Sequence, residues 1–273
     1  MPEINALLHA RYGEAAPQTS QPPANDVIAT LLNHRSVRAY LPGALDPGVL
    51  ELLISVAQSA STSSNLQAWS VVAVEEKDHK ARLAAHCGNQ KHILEAPLFL
   101  AWIVDLARLR RVARNAGSSS DGLDFLETFL IGVIDAALAA QNVVAAAESL
   151  GLGTVYIGAL RNHPEKVAAE LRLPTETFPI FGLVVGKPDP ARPSAIKPRL
   201  PQSAVLHREY YQVEPQDEAV ALYDEIIGAF YAEQKLPQQQ WTRHTANRIK
   251  AAESLGSRVR LREAISSLGF KIP

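Results

Sequence analysis

The segment Phe125–Leu150 constrains the fold more than any other stretch of this sequence. It is long, Ala-rich and largely apolar. A helix that is apolar nearly all round has to be covered, so the segment predicts a core or dimer helix. Asp135, Gln141 and Asn142 interrupt it, which argues against a bilayer span. The other markedly apolar stretch, Ala96–Val104, is too short to cross a membrane and contains a run of strand length, Leu98–Val104.

Around that helix the chain mixes strands and helices without regular βαβ alternation, which predicts an α+β layer fold rather than a doubly wound sheet. Trp69–Val74, Thr154–Ile157 and Phe178–Val185 read as further strands. Helices are expected over Ile4–Tyr12, Val27–Asn33 (capped by Asp26), a segment starting at Asp46-Pro47, Asp78–Cys87 (stopped by Gly88), Pro164–Leu171, Asp217–Gln234 and Thr242–Leu268. Gly13–Asn25, with Pro17, Pro22 and Pro23, reads as an extended arm. Ser59–Gln67 and Ser194–Leu200 read as loops, and Ala107–Asp124 as the least ordered interior stretch.

Composition excludes several classes of function. Lys plus Arg is 27 against 28 for Asp plus Glu, so no global basic excess exists to hold a nucleic acid. The one cysteine, Cys87, cannot form an intramolecular disulfide or a Cys-based metal cluster and reads as a small core residue. The opening MPEINALLHARYGE lacks the basic and apolar regions of a signal peptide, so a cytoplasmic location is expected. No GxSxG, HExxH or Walker motif occurs, and Gly151–Gly158 fails as a dinucleotide fingerprint because its sixth residue is Tyr156. No catalytic nucleophile, acid or base and no metal ligand is assigned.

Two basic clusters stand out. His34-Arg35-Ser36-Val37-Arg38 offers two guanidiniums and a hydroxyl at one bend, a donor set that matches phosphate oxygens. Lys197-Pro198-Arg199 offers a second basic pair in a Pro-stiffened loop. The tail from Lys235 to Arg262 is also basic, and most such runs are solvated helix faces.

These clusters belong to an ordered series: His34–Arg38, Ser61–Gln67, Gly88-Asn-Gln-Lys-His92, Ala140-Gln-Asn142 with Ala147–Gly153, Tyr156-Ile-Gly-Ala-Leu-Arg-Asn162, Phe181-Gly-Leu with Gly186, and Lys197-Pro-Arg-Leu-Pro201. The series resembles the nitroreductase/flavin reductase superfamily. Within it the likeness is to the NADPH-dependent FMN oxidoreductase branch, which includes the major oxygen-insensitive nitroreductase and the flavin reductase of luminous bacteria. It covers about residues 26–212 well and the tail weakly.

The resemblance implies a mixed sheet flanked by helices in an intertwined homodimer, with FMN at the subunit interface. It also implies a ping-pong hydride transfer from NADPH, or NADH as the alternative donor, through FMN to a small-molecule acceptor: a nitroaromatic, a quinone or a flavin. The alternative it leaves open is a flavin reductase that hands reduced FMN to a partner oxygenase. By the same resemblance His34, Arg35, Ser36 and Arg38 lie around the FMN phosphate and ribityl chain. Thr62 and Ser63 approach the flavin, Gln90 bonds its ring, Tyr156, Ile157, Gly158 and Ala159 lie against the isoalloxazine, and Lys197 and Arg199 are late phosphate ligands. Asn65 and Arg258 are the implied substrate-side residues. The implied organisation is an extension (1–25), an FMN-binding core (26–212) and a helical C-terminal region (213–273) that completes the dimer and substrate site. Three positions depart from the family pattern: Ala159 stands where relatives often carry Gly, Asn65 where they carry a bulky aromatic, and Gln238-Gln239-Gln240 where a basic pair is common.

Overall fold

A computed structural model describes residues 4–17 and 23–272. In chain order it contains α1 (Ile4–Tyr12), α2 (Asp26–Leu32), α3 (Val49–Gln58), β1 (Trp69–Val74), α4 (Lys77–His86), α5 (Lys91–Glu95), β2 (Leu98–Asp105) and α6 (Leu106–Asn115). These are followed by α7 (Leu126–Ser149), β3 (Gly153–Ile157), α8 (Pro164–Glu170), β4 (Thr177–Gly186), α9 (Glu214–Glu233), α10 (Trp241–Ile249) and α11 (Leu261–Ser267). The chain divides into two compact units, Ser36–Pro193 with Gly256–Pro273, and Met1–Arg35 with Ser194–Leu255.

The larger unit is built on a four-stranded sheet of order β1-β2-β4-β3 in which every pair is antiparallel. The parallel component of the expected mixed sheet is one bridge, Ser36 to Thr154, among the described residues. Strand periodicity sorts β2 between two layers. Leu98, Leu100 and Trp102 join Leu53 and Ala57 of α3 and Ala139, Ala140, Val143 and Val144 of α7. Phe99, Ala101 and Ile103 join Leu83, Ile93, Leu160 and Val167 on the other face. Cys87 is fully buried in this second cluster, and burial pushes its thiol up to about 12.

Helix α7 is a core helix on one side only. Phe129, Gly132, Asp135, Ala136 and the residues that follow at helical spacing are buried, while Leu126, Leu130, Ile134 and Leu138 remain exposed. By length and composition it is the one helix among the described residues that could cross a membrane.

The stretch expected to be least ordered, Ala107–Asp124, instead opens with α6. Asp105 caps that helix by accepting from Arg108 N at 3.0 Å. Leu106 and Leu109 pack near Phe129, and Arg110 reaches Glu176 and Asp124, the latter at 2.5 Å. The Gly- and Ser-rich residues that suggested a loop begin only after the helix has ended.

In the smaller unit α1 forms over the span its sequence predicts. The cap of α2 is Asn25, which accepts from Ile28 N at 2.9 Å, and Asp26 is the first helical residue rather than the cap. Part of the expected extended arm, residues 18–22, lies outside the described residues. Trp241 packs edge-on against Tyr223, and Thr242 N donates to Asp224 at 3.0 Å, tying α10 to α9. The single helix expected over Thr242–Leu268 is broken into α10, a 3-10 segment (Ala252–Arg260) and α11. Lys250 and Ala251 separate α10 from the 3-10 segment, and inside that segment Gly256, at φ 59° and ψ −140°, takes a conformation closed to most other residues.

Candidate functional site

In the smaller unit the two basic clusters meet through a residue that belongs to neither. Arg11, in the last turn of α1, is 6% exposed. Its Nη1 donates to the Lys197 carbonyl at 2.7 Å, and its Nη2 donates to the carbonyls of Leu32 and His34 at 2.9 and 2.8 Å. Its own carbonyl accepts from Arg199 N at 2.9 Å. Leu32 ends α2, so a cation there also meets the negative end of a helix dipole. The Lys197–Arg199 loop has further holds on α9. Tyr223 Oη donates to the Pro198 carbonyl at 3.0 Å, and Lys197 Nζ lies 5.1 Å from the centre of the Tyr231 ring. His34 and Arg35 are half-buried, and Lys197 and Arg199 are exposed. Arg35 also donates to Asn33 Oδ1 at 2.9 Å.

In the larger unit the remainder of the first cluster is laid along β3. Ser36 bridges Thr154, and Val37 N donates to the Thr154 carbonyl at 2.9 Å. Tyr40 Oη donates back to the Val37 carbonyl at 2.7 Å, and Leu41 N donates to the Lys187 carbonyl at 2.9 Å. Gly153 permits this approach: a Cβ there would lie 2.6–2.9 Å from three Val37 side-chain atoms. Arg38, between these fixed points, is exposed.

The same strand delivers the next candidate segment. β3 ends at Ile157, and residues 158–162 form a 3-10 turn. Ile157 and Ala159 are buried, whereas Tyr156 is exposed with its ring edge-on to Phe181. A Cβ at Gly158 would meet only two guanidinium ends, Arg161 Nη2 at 3.6 Å and Arg258 Nη2 at 4.0 Å. Arg258 Nε donates to Asn162 at 2.9 Å. Arg161 Nη1 donates to the Ile180 carbonyl at 2.6 Å, where the β2–β4 register skips a residue beside Pro179. This bulge leaves Ile180 outside the ladder and turns its carbonyl toward the guanidinium. Burial first, and the Arg258 guanidinium second, lower the pKa of Arg161.

The loop that holds Thr62, Ser63 and Asn65 is built around Asp135, a carboxylate 1% exposed on α7. Asp135 accepts from Thr62 Oγ1, from Ser63 N at 3.1 Å and from Ala68 N at 3.4 Å. Ser64, Asn65 and Gln67 all take positive φ there. Gln90 follows a second turn of this kind, with Gly88 at φ 73° and Asn89 at φ 53°. His92, two residues on, has a buried Nε2 without a hydrogen-bond partner. Its pKa is lowered by burial and then by Arg38, against an opposing pull from Glu95.

The smaller unit thus ties His34 and Lys197 to one buried guanidinium and Arg199 to the backbone carbonyl of the same residue, with Arg35 next to His34 in the chain. The larger gathers Ser36, Arg38 and the Tyr156–Ala159 turn on β3, and sets Arg258 at the same turn. Thr62, Ser63 and Asn65 share a separate loop, and Gln90 lies in a turn of its own. Sequence reasoning passed over Arg11, Asp135 and Arg161. Asp135 carried a readable signal, because an acidic residue inside an apolar helix needs donors. Arg11 carried none, since an arginine in a short helix reads as surface. The donors fit FMN: cations and a hydroxyl for a dianionic phosphate, and a small-residue turn at a strand end for a flat ring.

The chain matches the model of the nitroreductase family over residues 31–187 and that of the nitroreductase family C-terminal domain over residues 197–273. It is 39% identical over 231 residues to the FMN reductase (NADPH) of Bacillus subtilis, covering 83% of this chain and 92% of that one. It is 37% identical over 219 residues to a Cr(VI) reductase of a Pseudomonas species, covering 80% and 89%. The solved structure of NfrA2 from B. megaterium superposes with a TM-score of 0.86 at 35% identity, over 92% of this chain and all of that one. Sequence and fold agree along nearly the whole length, and the chain belongs to the nitroreductase family.

Proposed function

We propose that this protein is an FMN-dependent oxidoreductase that takes reducing equivalents from NADPH, with NADH as the alternative donor, and delivers them to nitroaromatics, quinones or flavins. The observation that carries the reading is the joining of the two basic segments on Arg11, alongside the likeness to an NADPH-dependent FMN reductase. FMN, when bound, supplies the two-electron chemistry, accepting hydride from the nicotinamide and passing it on in a ping-pong cycle.

The residues of this chain bind and orient. Arg35, Arg38, Lys197 and Arg199 balance the phosphate charge, with Ser36 and His34 beside the phosphate and ribityl chain. Tyr156, Ile157, Gly158 and Ala159 support the isoalloxazine, and Gln90 bonds its edge. Thr62 and Ser63 approach the flavin held by a second copy of the chain. Asn65 and Arg258 shape the acceptor side. The exposed row Leu126, Leu130, Ile134 and Leu138 on α7, spaced for one helix face, supports a homodimer. Residues 26–212 act as the FMN-binding core and 213–273 complete the dimer and acceptor site. The cytoplasm, which supplies reduced nicotinamide, is the working compartment.

An absorbance spectrum followed by anaerobic titration with NADPH and then NADH tests this. Flavin bands that bleach on NADPH addition are expected, and FMN that stays with the protein through gel filtration favours the enzyme over a supplier of free reduced flavin. Protein that remains colourless after FMN is added and the excess removed would overturn the reading.

A further inference from the structure

We propose that Arg11 is a positioning residue for the FMN phosphate, and that α1 exists in this chain to deliver it. The inference rests on the FMN reading above and goes beyond it. Arg11 lies before both stretches matched by the family models, which begin at residues 31 and 197. Its guanidinium nonetheless ties together the backbones of both basic segments, through the carbonyls of His34 and Lys197. Its carbonyl holds Arg199 N, so the residues on each side of Pro198 are both anchored to α1. Three Arg11 bonds go to backbone carbonyls. What it fixes is the backbone from which Arg35, Lys197 and Arg199 project. Cations held in place before the ligand arrives lose less freedom on binding, so their affinity for phosphate is greater. Guanidinium geometry is needed for the task, because one planar group meets three carbonyls at 2.7–2.9 Å.

The experiment compares FMN with riboflavin, which lacks the phosphate, by fluorescence titration of wild-type, Arg11→Met and Arg11→Lys apoprotein. For Arg11→Met the FMN Kd should rise about 10–100-fold, the scale seen when an orienting partner is lost, while the riboflavin Kd stays within about twofold. Arg11→Lys keeps the charge without the planar fork and should fall between. It also keeps the test available should the methionine variant not fold. Equal weakening of FMN and riboflavin, or an unchanged FMN Kd in a folded variant, overturns the proposal. If wild type itself binds FMN no better than riboflavin, the phosphate reading of the basic segments fails first, and this inference with it.

Discussion

Replacing Gly153 with alanine should separate the Ser36–Arg38 segment from β3, and the cost can be worked from the contacts. A new Cβ would sit 2.6 Å from Val37 Cγ2, 2.7 Å from Val37 Cβ and 2.9 Å from Val37 Cγ1. Ordinary contact starts near 3.4 Å, so the two backbones must part by about 0.8 Å. Val37 has little room to yield, because its N donates to Thr154 at 2.9 Å and its carbonyl accepts from Tyr40 at 2.7 Å. Overpacking of about 1–3 kcal/mol and the loss of one backbone hydrogen bond at about 1 kcal/mol give about 2–4 kcal/mol of destabilisation. Partner substitutions separate this cause from others. Val37→Ala leaves the 2.7 Å Cβ contact in place and should rescue little, whereas Val37→Gly removes all three contacts. The cycle of Gly153→Ala with Val37→Gly should therefore show a favourable coupling of about 2 kcal/mol. Urea unfolding of flavin-free protein at one fixed concentration reads it, the fixed concentration removing any contribution from association. Additivity within about 0.5 kcal/mol would refute the steric reasoning. Gly153→Ala should also weaken FMN binding more than riboflavin binding, since Arg38 moves with the segment.

Three further outcomes are expected. Asp135→Asn should destabilise the protein by about 2–4 kcal/mol in urea unfolding, because an amide brings donors of its own to a site already supplied with N–H and O–H donors; an unchanged midpoint would show that the Thr62–Ala68 loop does not depend on this carboxylate. His92 should give an acid limb. Its folded pKa lies below the ordinary 6.5, so the unfolded chain binds the proton first. Stability is then complete above pH 6.5, falls as pH drops below it, and levels off beneath the folded pKa. His92→Asn should flatten that limb in melting curves between pH 7 and 5, and an unaltered slope would assign the limb to other groups. Arg258→Gln should lower kcat/KM for a carboxylate-bearing nitroaromatic about tenfold while its neutral counterpart stays within about twofold; parallel losses would remove Arg258 from the recognition of anionic acceptors.

Much of the regular structure was legible because its signals are local. Periodicity placed α7, β2 and β4, and the glycines at 88 and 151, both at positive φ, marked the ends of helical segments. The errors also have local causes. α6 carries four arginines and only a short apolar face, so its pattern read as disorder until Asp105 and Glu176 supplied a cap and ion pairs. The tail looked like one helix because its pattern is amphipathic and a single glycine is weak evidence of a break, yet α10 ends at Ile249 and Gly256 interrupts the 3-10 segment that follows. The candidate residues were legible by motif, while their supports were not. Arg11, Asp135 and Arg161 act on atoms 19 to 186 positions away, and most of those atoms are backbone carbonyls and amides, which look the same at every residue.

That distribution of support explains where the chain accepts unfavourable backbone. Eight non-glycine residues among those described have positive φ, and four of them, Ser64, Asn65, Gln67 and Asn89, fall in the two loops read as flavin-facing. Each such residue costs up to about 1–3 kcal/mol and persists only where its surroundings over-determine it. For the first loop the surroundings are visible: one buried carboxylate takes donors from Thr62, Ser63 and Ala68, and Gln67 N donates to Thr62 Oγ1 at 2.9 Å. For the second, Asn89 N donates to the Ala84 carbonyl at 2.9 Å. A loop needed only as a connection would relax to negative φ at no loss. Holding three such residues between the Thr62–Ser63 and Ala68 bonds to one aspartate makes sense when the loop must present Thr62 and Ser63 in a single geometry. Asparagine suits position 65 for the same reason, since it tolerates φ 54° better than a bulky aromatic does.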